Sequence, residues 1–370
     1  MSDNLLDTLT ETLLMGPGPS CVPPAVYTAI GRPTIGHLDP RFIAIMDEVK
    51  TRLQQVMQTA NRLTLPISGT GSAGMETSFV NLVEPGDAVL ILRNGVFGMR
   101  MTDVAQRLGA AVDVLEFEWG TPVDVSAVKK QLSEKKYKIV AVVHAETSTG
   151  VCNPVAEIGT AVRENGALYL LDAVTSLCGI PVQTDAWGVD VIYSGTQKCL
   201  SCPPGLAPVS FSERALQTLK SRRVKVPNWY LDLTLIVDYW QGAKRAYHHT
   251  APINMLYAIH AALGEILQEG LDKVYARHQD AHQHLVAGLE ALGLAMRVAP
   301  ASRLPMLNAV CVPQGVDEAA VRGRLLKEFD IEIGAGLGPL AGQIWRIGLM
   351  GHTARPENVE RLLAILKKVL

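Results

Sequence analysis

The sequence predicts an α/β fold: a large domain built on a mostly parallel sheet with helices on both faces, then a smaller C-terminal α+β domain. Three observations carry this reading. Short, continuous apolar runs alternate with helical patterns from Leu63 to Tyr193, as parallel strands buried on both faces do. From about Leu256 the character changes to long helical patterns with few strand-like runs between them. The chain has 370 residues, 48% hydrophobic and 19% charged, enough for two domains with a sizeable core. The expected divisions are an arm over 1–20, a large domain over 21–268 and a small domain over 269–370.

The elements follow in order. Met15-Gly16-Pro17-Gly18-Pro19-Ser20 alternates Gly and Pro, which forbids helix and interior strand, so it reads as an extended arm leading to a helix near Pro23 or Pro24. Leu63–Ile67 is a strand, followed by a glycine turn and a helix over Met75–Leu82. Strands Ala88–Leu92 and Ala111–Glu116 bracket a helix over Met99–Leu108, and Ser126–Leu132 forms the next helix. Strand Lys138–His144, helix Val155–Glu164 and the apolar runs Leu168–Asp172 and Val189–Tyr193 complete the alternation. Helix Leu256–Gln268 closes the large domain, and helix Leu271–Leu292, strand Asn308–Pro313, helix Glu318–Phe329 and a last helix Pro356–Val369 make the small one.

Composition narrows the function. The formal net charge is −2, and the densest basic run, Lys220-Ser221-Arg222-Arg223-Val224-Lys225, is short and lacks interleaved aromatics, so no nucleic-acid partner is expected. The longest apolar stretch is too short to span a bilayer. The first twelve residues carry acids and no base, unlike a targeting peptide. Six scattered cysteines do not make a disulfide framework. A cytoplasmic location is the expectation.

Lys198 is the most informative residue. It follows the apolar run Val189–Tyr193, precedes Pro203-Pro204-Gly205, and is the only charged residue between Asp190 and Glu213. Burial favours a neutral amine, which can attack a carbonyl; alternatively, the side chain merely reaches solvent from a strand end. Ligands of parallel sheets sit beyond the carboxyl ends of the strands. That edge gathers the Gly69 loop, the turn after His144, Asp172 and the Lys198 turn.

Each of these has two readings. Gly69-Thr70-Gly71-Ser72-Ala73-Gly74 matches the GxGxxG dinucleotide pattern, and a nicotinamide-dependent oxidoreductase is the reading of a different class that this match allows. Glu84 and Asp87 are poorly placed as its ribose partner. Without a dinucleotide the loop is an anion site at a helix N-terminus, or a plain tight turn. Asp172 either caps the following turn or pairs with a protonated ring nitrogen, as a pyridine cofactor requires. Arg346 places a guanidinium inside an apolar strand, where it wants a carboxylate. Asn254 could recognise an amide-bearing donor or cap the helix that starts beside it. Neither Cys199 with Cys202 nor the group His278, His282 and His284 has the company a metal site needs, the histidines reading as a solvated helix face; no metal is expected.

Together these residues resemble the class V aminotransferases of fold type I, which use pyridoxal 5'-phosphate, and within them the alanine–glyoxylate and serine–pyruvate group. The resemblance runs from the Met15–Pro19 arm through Tyr193-Ser194-Gly195-Thr196-Gln197-Lys198 and Tyr247-His248-His249-Thr250 to Trp345-Arg346-Ile347-Gly348. It implies a seven-stranded sheet and a small C-terminal domain. It also implies that Lys198 holds the cofactor covalently and that Asp172, 26 positions earlier, keeps the pyridine nitrogen protonated. Phe97 would stack on the ring, where relatives often carry tryptophan. Thr147 would lie beside the phenolic oxygen, and Thr70, Gly71, Ser72 and Gln197 would hold the phosphate. Tyr247 and Thr250 would reach the phosphate of a neighbouring subunit, implying a homodimer with shared sites. Arg346 would take the substrate carboxylate, with Gly16 lining the pocket. The activity implied is ping-pong transamination between alanine or serine and glyoxylate or pyruvate, with (S)-ureidoglycine as the alternative donor.

Overall fold

The computed structural model describes residues 4–241 and 245–370; the first three residues of the expected arm lie outside them. Seven strands form the main sheet: β1 (Leu63–Ser68), β2 (Ala88–Arg93), β3 (Ala111–Glu116), β4 (Ile139–Val143), β5 (Leu168–Asp172), β6 (Val191–Tyr193) and β7 (Leu206–Phe211). Their order is β1-β7-β6-β5-β4-β2-β3. All pair parallel except β7, which runs antiparallel to both β1 and β6. Strands β4 to β7 are buried at every position, which explains their continuous apolar sequences.

The helices are α1 (Pro24–Ile30), α2 (Pro40–Met57), α3 (Gly71–Val80), α4 (Val96–Arg107), α5 (Val125–Glu134), α6 (Val155–Asn165), α7 (Glu213–Lys220), α8 (Leu233–Trp240), α9 (Ile253–Glu269), α10 (Leu271–Ala291), α11 (Glu318–Phe329) and α12 (Pro356–Val369). Helix α3 begins four residues before its expected start, because Thr70 is extended and the glycine loop itself forms the first turn. Helix α2 was not anticipated. Its signals are a capping Asp39 before Pro40, and Phe42, Met46, Val49, Leu53 and Val56 buried at helical spacing.

The C-terminal part carries a three-stranded antiparallel sheet of β8 (Leu307–Cys311), β9 (Gly334–Ala335) and β10 (Ile344–Gly348), with β10 in the middle. Its core is a separate apolar cluster around Leu285, Leu325, Trp345 and Leu362. The arm joins it: Leu13–Leu14 pairs parallel with Ile331–Glu332, and the Met15 carbonyl accepts from the Gly348 N–H at 2.7 Å. The expectation of a solvated histidine face on α10 is wrong for two of its three residues. His278 is fully buried and His282 nearly so. His278 Nδ1 faces the Val274 carbonyl at 2.7 Å while Nε2 accepts from the Gly351 N–H at 2.9 Å, and His282 bonds Asn308 at 2.7 Å. Imidazoles here satisfy buried polar groups between α10 and the small sheet. No described helix is long and apolar enough to cross a membrane.

Candidate active site

The six parallel strands end on one edge, and the turns leaving five of them carry the site. Lys198 follows β6 and is 8% exposed. Its Nζ donates to the Pro17 carbonyl, so the arm lies directly on the amine. The turn is held from both sides: the Lys198 carbonyl accepts from Ser20 Oγ at 2.7 Å and from the Ser201 N–H at 3.0 Å. Gly18 has φ +109°, and a Cβ there would run into the lysine side chain, so only glycine lets the arm pass this close. Burial, and then the Arg346 charge, bring the Lys198 amine down to about 8.

Asp172 ends β5 with 2% exposure. Tyr193 donates its hydroxyl to one carboxylate oxygen at 2.7 Å and the Val174 N–H donates to the other at 2.9 Å. The turn-capping bond is therefore present, and the acid still has lone pairs to offer. Burial pushes its carboxyl up to about 6, so it gains from any cation brought alongside.

Helix α3 opens at Gly71 without a side-chain cap, so its first backbone N–H groups remain available to an anion. Thr70 and Ser72 are exposed beside them. Gln197 reaches the same loop, and its Oε1 is buried with no partner. The amide turned by 180° presents Nε2 instead, a donor that suits a phosphate oxygen.

Arg346 lies in β10 opposite Ala309 and Gly334. Its Nε donates to the Ala335 carbonyl at 2.6 Å and Nη1 to the Thr147 carbonyl at 3.2 Å. Burial lowers it to about 10, so it stays protonated at neutral pH and keeps an edge of its guanidinium for a carboxylate. Gly16 lies against Gly348, two residues on in the same strand. Thr147 Oγ1 meets Thr175 Oγ1 at 2.7 Å. Phe97, half-buried at the start of α4, has the Arg100 guanidinium 4.9 Å from its ring centroid. Glu146 is fully buried between these groups and is pushed to about 7 by that burial; neither it nor Tyr193 stood out in the sequence. His144 is buried against Trp187 and is brought down to about 3 by burial.

Three expected residues, Tyr247, Thr250 and Asn254, make no bond to this cluster. Tyr247 is 59% exposed, with its hydroxyl 3.3 Å from Thr250 Oγ1 and its ring 5.0 Å from His37. Asn254 sits inside α9, whose capping residue is Pro252, so it is not the cap. Its amide donates to the Ile30 and Arg32 carbonyls at 2.8 Å each and accepts from Thr34 at 2.6 Å, which ties the end of α1 to α9. The acids after the glycine loop are committed elsewhere. Glu84 accepts from the Arg223 and Val224 N–H groups, and Asp87 pairs with Lys138 at 2.6 Å.

A buried amine, a buried acid on a neighbouring strand and an open helix N-terminus are the parts that hold pyridoxal phosphate by its aldehyde, ring nitrogen and phosphate. The comparisons agree. The family model described as Aminotransferase class-V matches residues 24–362. The chain is 40% identical to the (S)-ureidoglycine–glyoxylate transaminase of Bacillus subtilis, over 96% of this chain and 90% of that protein. It is also 40% identical to the alanine–glyoxylate aminotransferase of Oryctolagus cuniculus, over 97% of this chain and 92% of that one. Among solved structures, the alanine–glyoxylate aminotransferase of Nostoc sp. superposes with a TM-score of 0.95 at 48% identity, covering 100% of both chains. The dinucleotide reading of the glycine loop is thereby overturned, and the chain belongs to the class V aminotransferases, enzymes that use pyridoxal 5'-phosphate.

Proposed function

We propose that this enzyme transfers an amino group from a small amino acid, alanine or serine, to a 2-oxo acid, glyoxylate or pyruvate, by a ping-pong mechanism. The observation that carries the proposal is the half-satisfied guanidinium of Arg346 beside the buried Lys198: a carboxylate anchor and a base within one small, arm-covered space. The identity of about 40% to alanine–glyoxylate aminotransferases supports glyoxylate as acceptor. Identity to the ureidoglycine enzyme is equal, so (S)-ureidoglycine is the second reading of the donor.

In this reading Lys198 holds the cofactor, and Gly71, Ser72, Thr70 and Gln197 hold its phosphate. Phe97 covers the ring and Thr147 neighbours its phenolic oxygen. When bound, pyridoxal phosphate supplies a protonated ring that takes up the electron pair left at the substrate Cα. The chain's own groups do the rest. Arg346 fixes the substrate carboxylate and so fixes which Cα bond points towards Lys198. The Lys198 amine, neutral over a useful fraction near pH 8, would accept the Cα proton and return it to the carbon two atoms away, across the nitrogen. Asp172 holds a proton at the pyridine nitrogen, its burial offset by that cation. The arm carbonyl at Pro17 and the Gly16 backbone exclude water from the Lys198 side. Tyr247 and Thr250, exposed on this chain, are proposed to complete the phosphate site of a second copy in a homodimer.

The test is a half-reaction panel on the loaded enzyme, following the cofactor's visible absorbance with alanine, serine, aspartate, aminoethylphosphonate and ureidoglycine. Alanine and serine should discharge it and glyoxylate restore it. Discharge by ureidoglycine alone favours the second reading. Full alanine–glyoxylate turnover by Lys198→Ala would sink the site assignment altogether.

A further inference from the structure

Helix α4 has no cap of its own. Its N-cap position is Gly95, which has no side chain to offer the open N–H groups of the first turn. Those groups are nonetheless satisfied from the turn after β4. Glu146 Oε2 accepts from the Phe97 N–H at 3.2 Å, and Ser148 Oγ accepts from the Val96 N–H at 3.0 Å. The two caps are joined: Ser148 donates to Glu146 Oε1 through its hydroxyl at 2.6 Å and its N–H at 3.1 Å. Glu146 thus accepts from three donors and is fully buried. Gly95 makes room for this, since a Cβ there would overlap the Glu146 carboxyl group.

The residue whose N–H Glu146 holds is Phe97, which makes the cap more than a support for the helix. The same turn supplies the Thr147 carbonyl that Arg346 Nη1 donates to. We infer that Glu146, acting with Ser148, is a positioning residue: it borrows a cap across the sheet edge to fix the first turn of α4 and hold Phe97 where the cofactor ring is to lie. The inference rests on the proposed stacking role of Phe97. Glutamine at 146 keeps the size but must turn an NH2 group towards either the Phe97 N–H or the Ser148 donors, so one capping bond becomes a donor–donor contact. When the first turn of α4 is loosened in this way, the binding ring must order Phe97 itself, and affinity falls by roughly tenfold.

The experiment is a titration of the apoenzyme with pyridoxal phosphate, read by quenching of protein fluorescence and by the circular dichroism of the bound chromophore. Glu146→Gln, Ser148→Ala and Phe97→Leu are compared with the wild type, alongside apoenzyme melting temperatures. The expected result is about a tenfold weaker Kd and a reduced dichroic band for Glu146→Gln, a smaller change in the same direction for Ser148→Ala, and melting temperatures lowered by no more than a few degrees. If Glu146→Gln does not fold, Ser148→Ala decides alone, and an unchanged Kd and band there overturn the inference. A loss of affinity in Phe97→Leu with none in Glu146→Gln overturns the positioning role and leaves stacking intact. Unchanged affinity in both overturns the stacking role as well.

Discussion

Arg346 shows how a single side chain can be both placed and left unfinished. Two backbone carbonyls take Nε and Nη1, which orients the plane of the guanidinium and leaves the rest of its donors without a bond among the described residues. Lysine cannot reproduce this fork. Arg346→Lys should raise KM for alanine roughly 10- to 100-fold, the worth of a charged hydrogen-bonded pair, with a smaller change in kcat; steady-state kinetics with varied donor measure it. An unchanged KM would remove Arg346 from substrate binding. The arginine was legible because a cation in an apolar strand is conspicuous. Glu146 was not, because one acid among Thr and Ser looks like an ordinary polar turn until the α4 N-terminus is seen against it.

At the scale of elements, the sequence revealed strands flanked by helices far better than it revealed the exceptions. Strand β7 went unread because Pro208 interrupts it, and proline normally argues against an interior strand. The register explains the tolerance: Pro208 faces Pro66, so neither residue owes the other an N–H bond, and on the other side Pro208 supplies only its carbonyl, to the Ser194 N–H at 2.8 Å just past β6. Helix α2 carries clear signals but lies before Leu63, outside the strand–helix alternation that marks the main sheet. Asn254 is the opposite case, a residue read for its chemistry whose structural work is to clip α1 to α9. Asn254→Ala leaves the Ile30 and Arg32 carbonyls unpaired and should cost about 1–2 kcal/mol, lowering the melting temperature by about 2–4 °C without changing donor preference. A variant that melts normally but selectively loses ureidoglycine would restore the recognition role.

For the molecule as a whole, buried titratable groups set opposing trends with pH. His144 and His278 have folded values near 3 and 4, below the unfolded value of 6.5, so the unfolded chain binds more protons as pH falls and they subtract stability. Asp172 and Glu146 have folded values near 6 and 7, above their unfolded values, so the folded chain binds the protons and they add stability as pH falls. Between pH 6 and 5 the two pairs offset one another. Asp172→Asn removes one of the compensating groups. Relative to wild type, its apoenzyme should therefore lose about 1 kcal/mol of stability on acidification from pH 6 to pH 5, measured by chemical denaturation at the two pH values. Parallel pH dependences would show that Asp172 titrates normally in the apo fold.

The arm has a consequence of another kind, for synthesis and assembly. Cys21 and Leu14 bond Thr353, which lies 332 and 339 positions later, and Met15 bonds Gly348. A nascent chain can therefore build most of the main sheet while the arm is held only by its bonds to Gln197 and Lys198, without those to the small sheet. Closing so long a loop is left to the end. On the proposed role of Lys198, the cover over the amine is fully fastened only once the last strand of the small sheet has emerged, so loading should be able to precede completion of the fold.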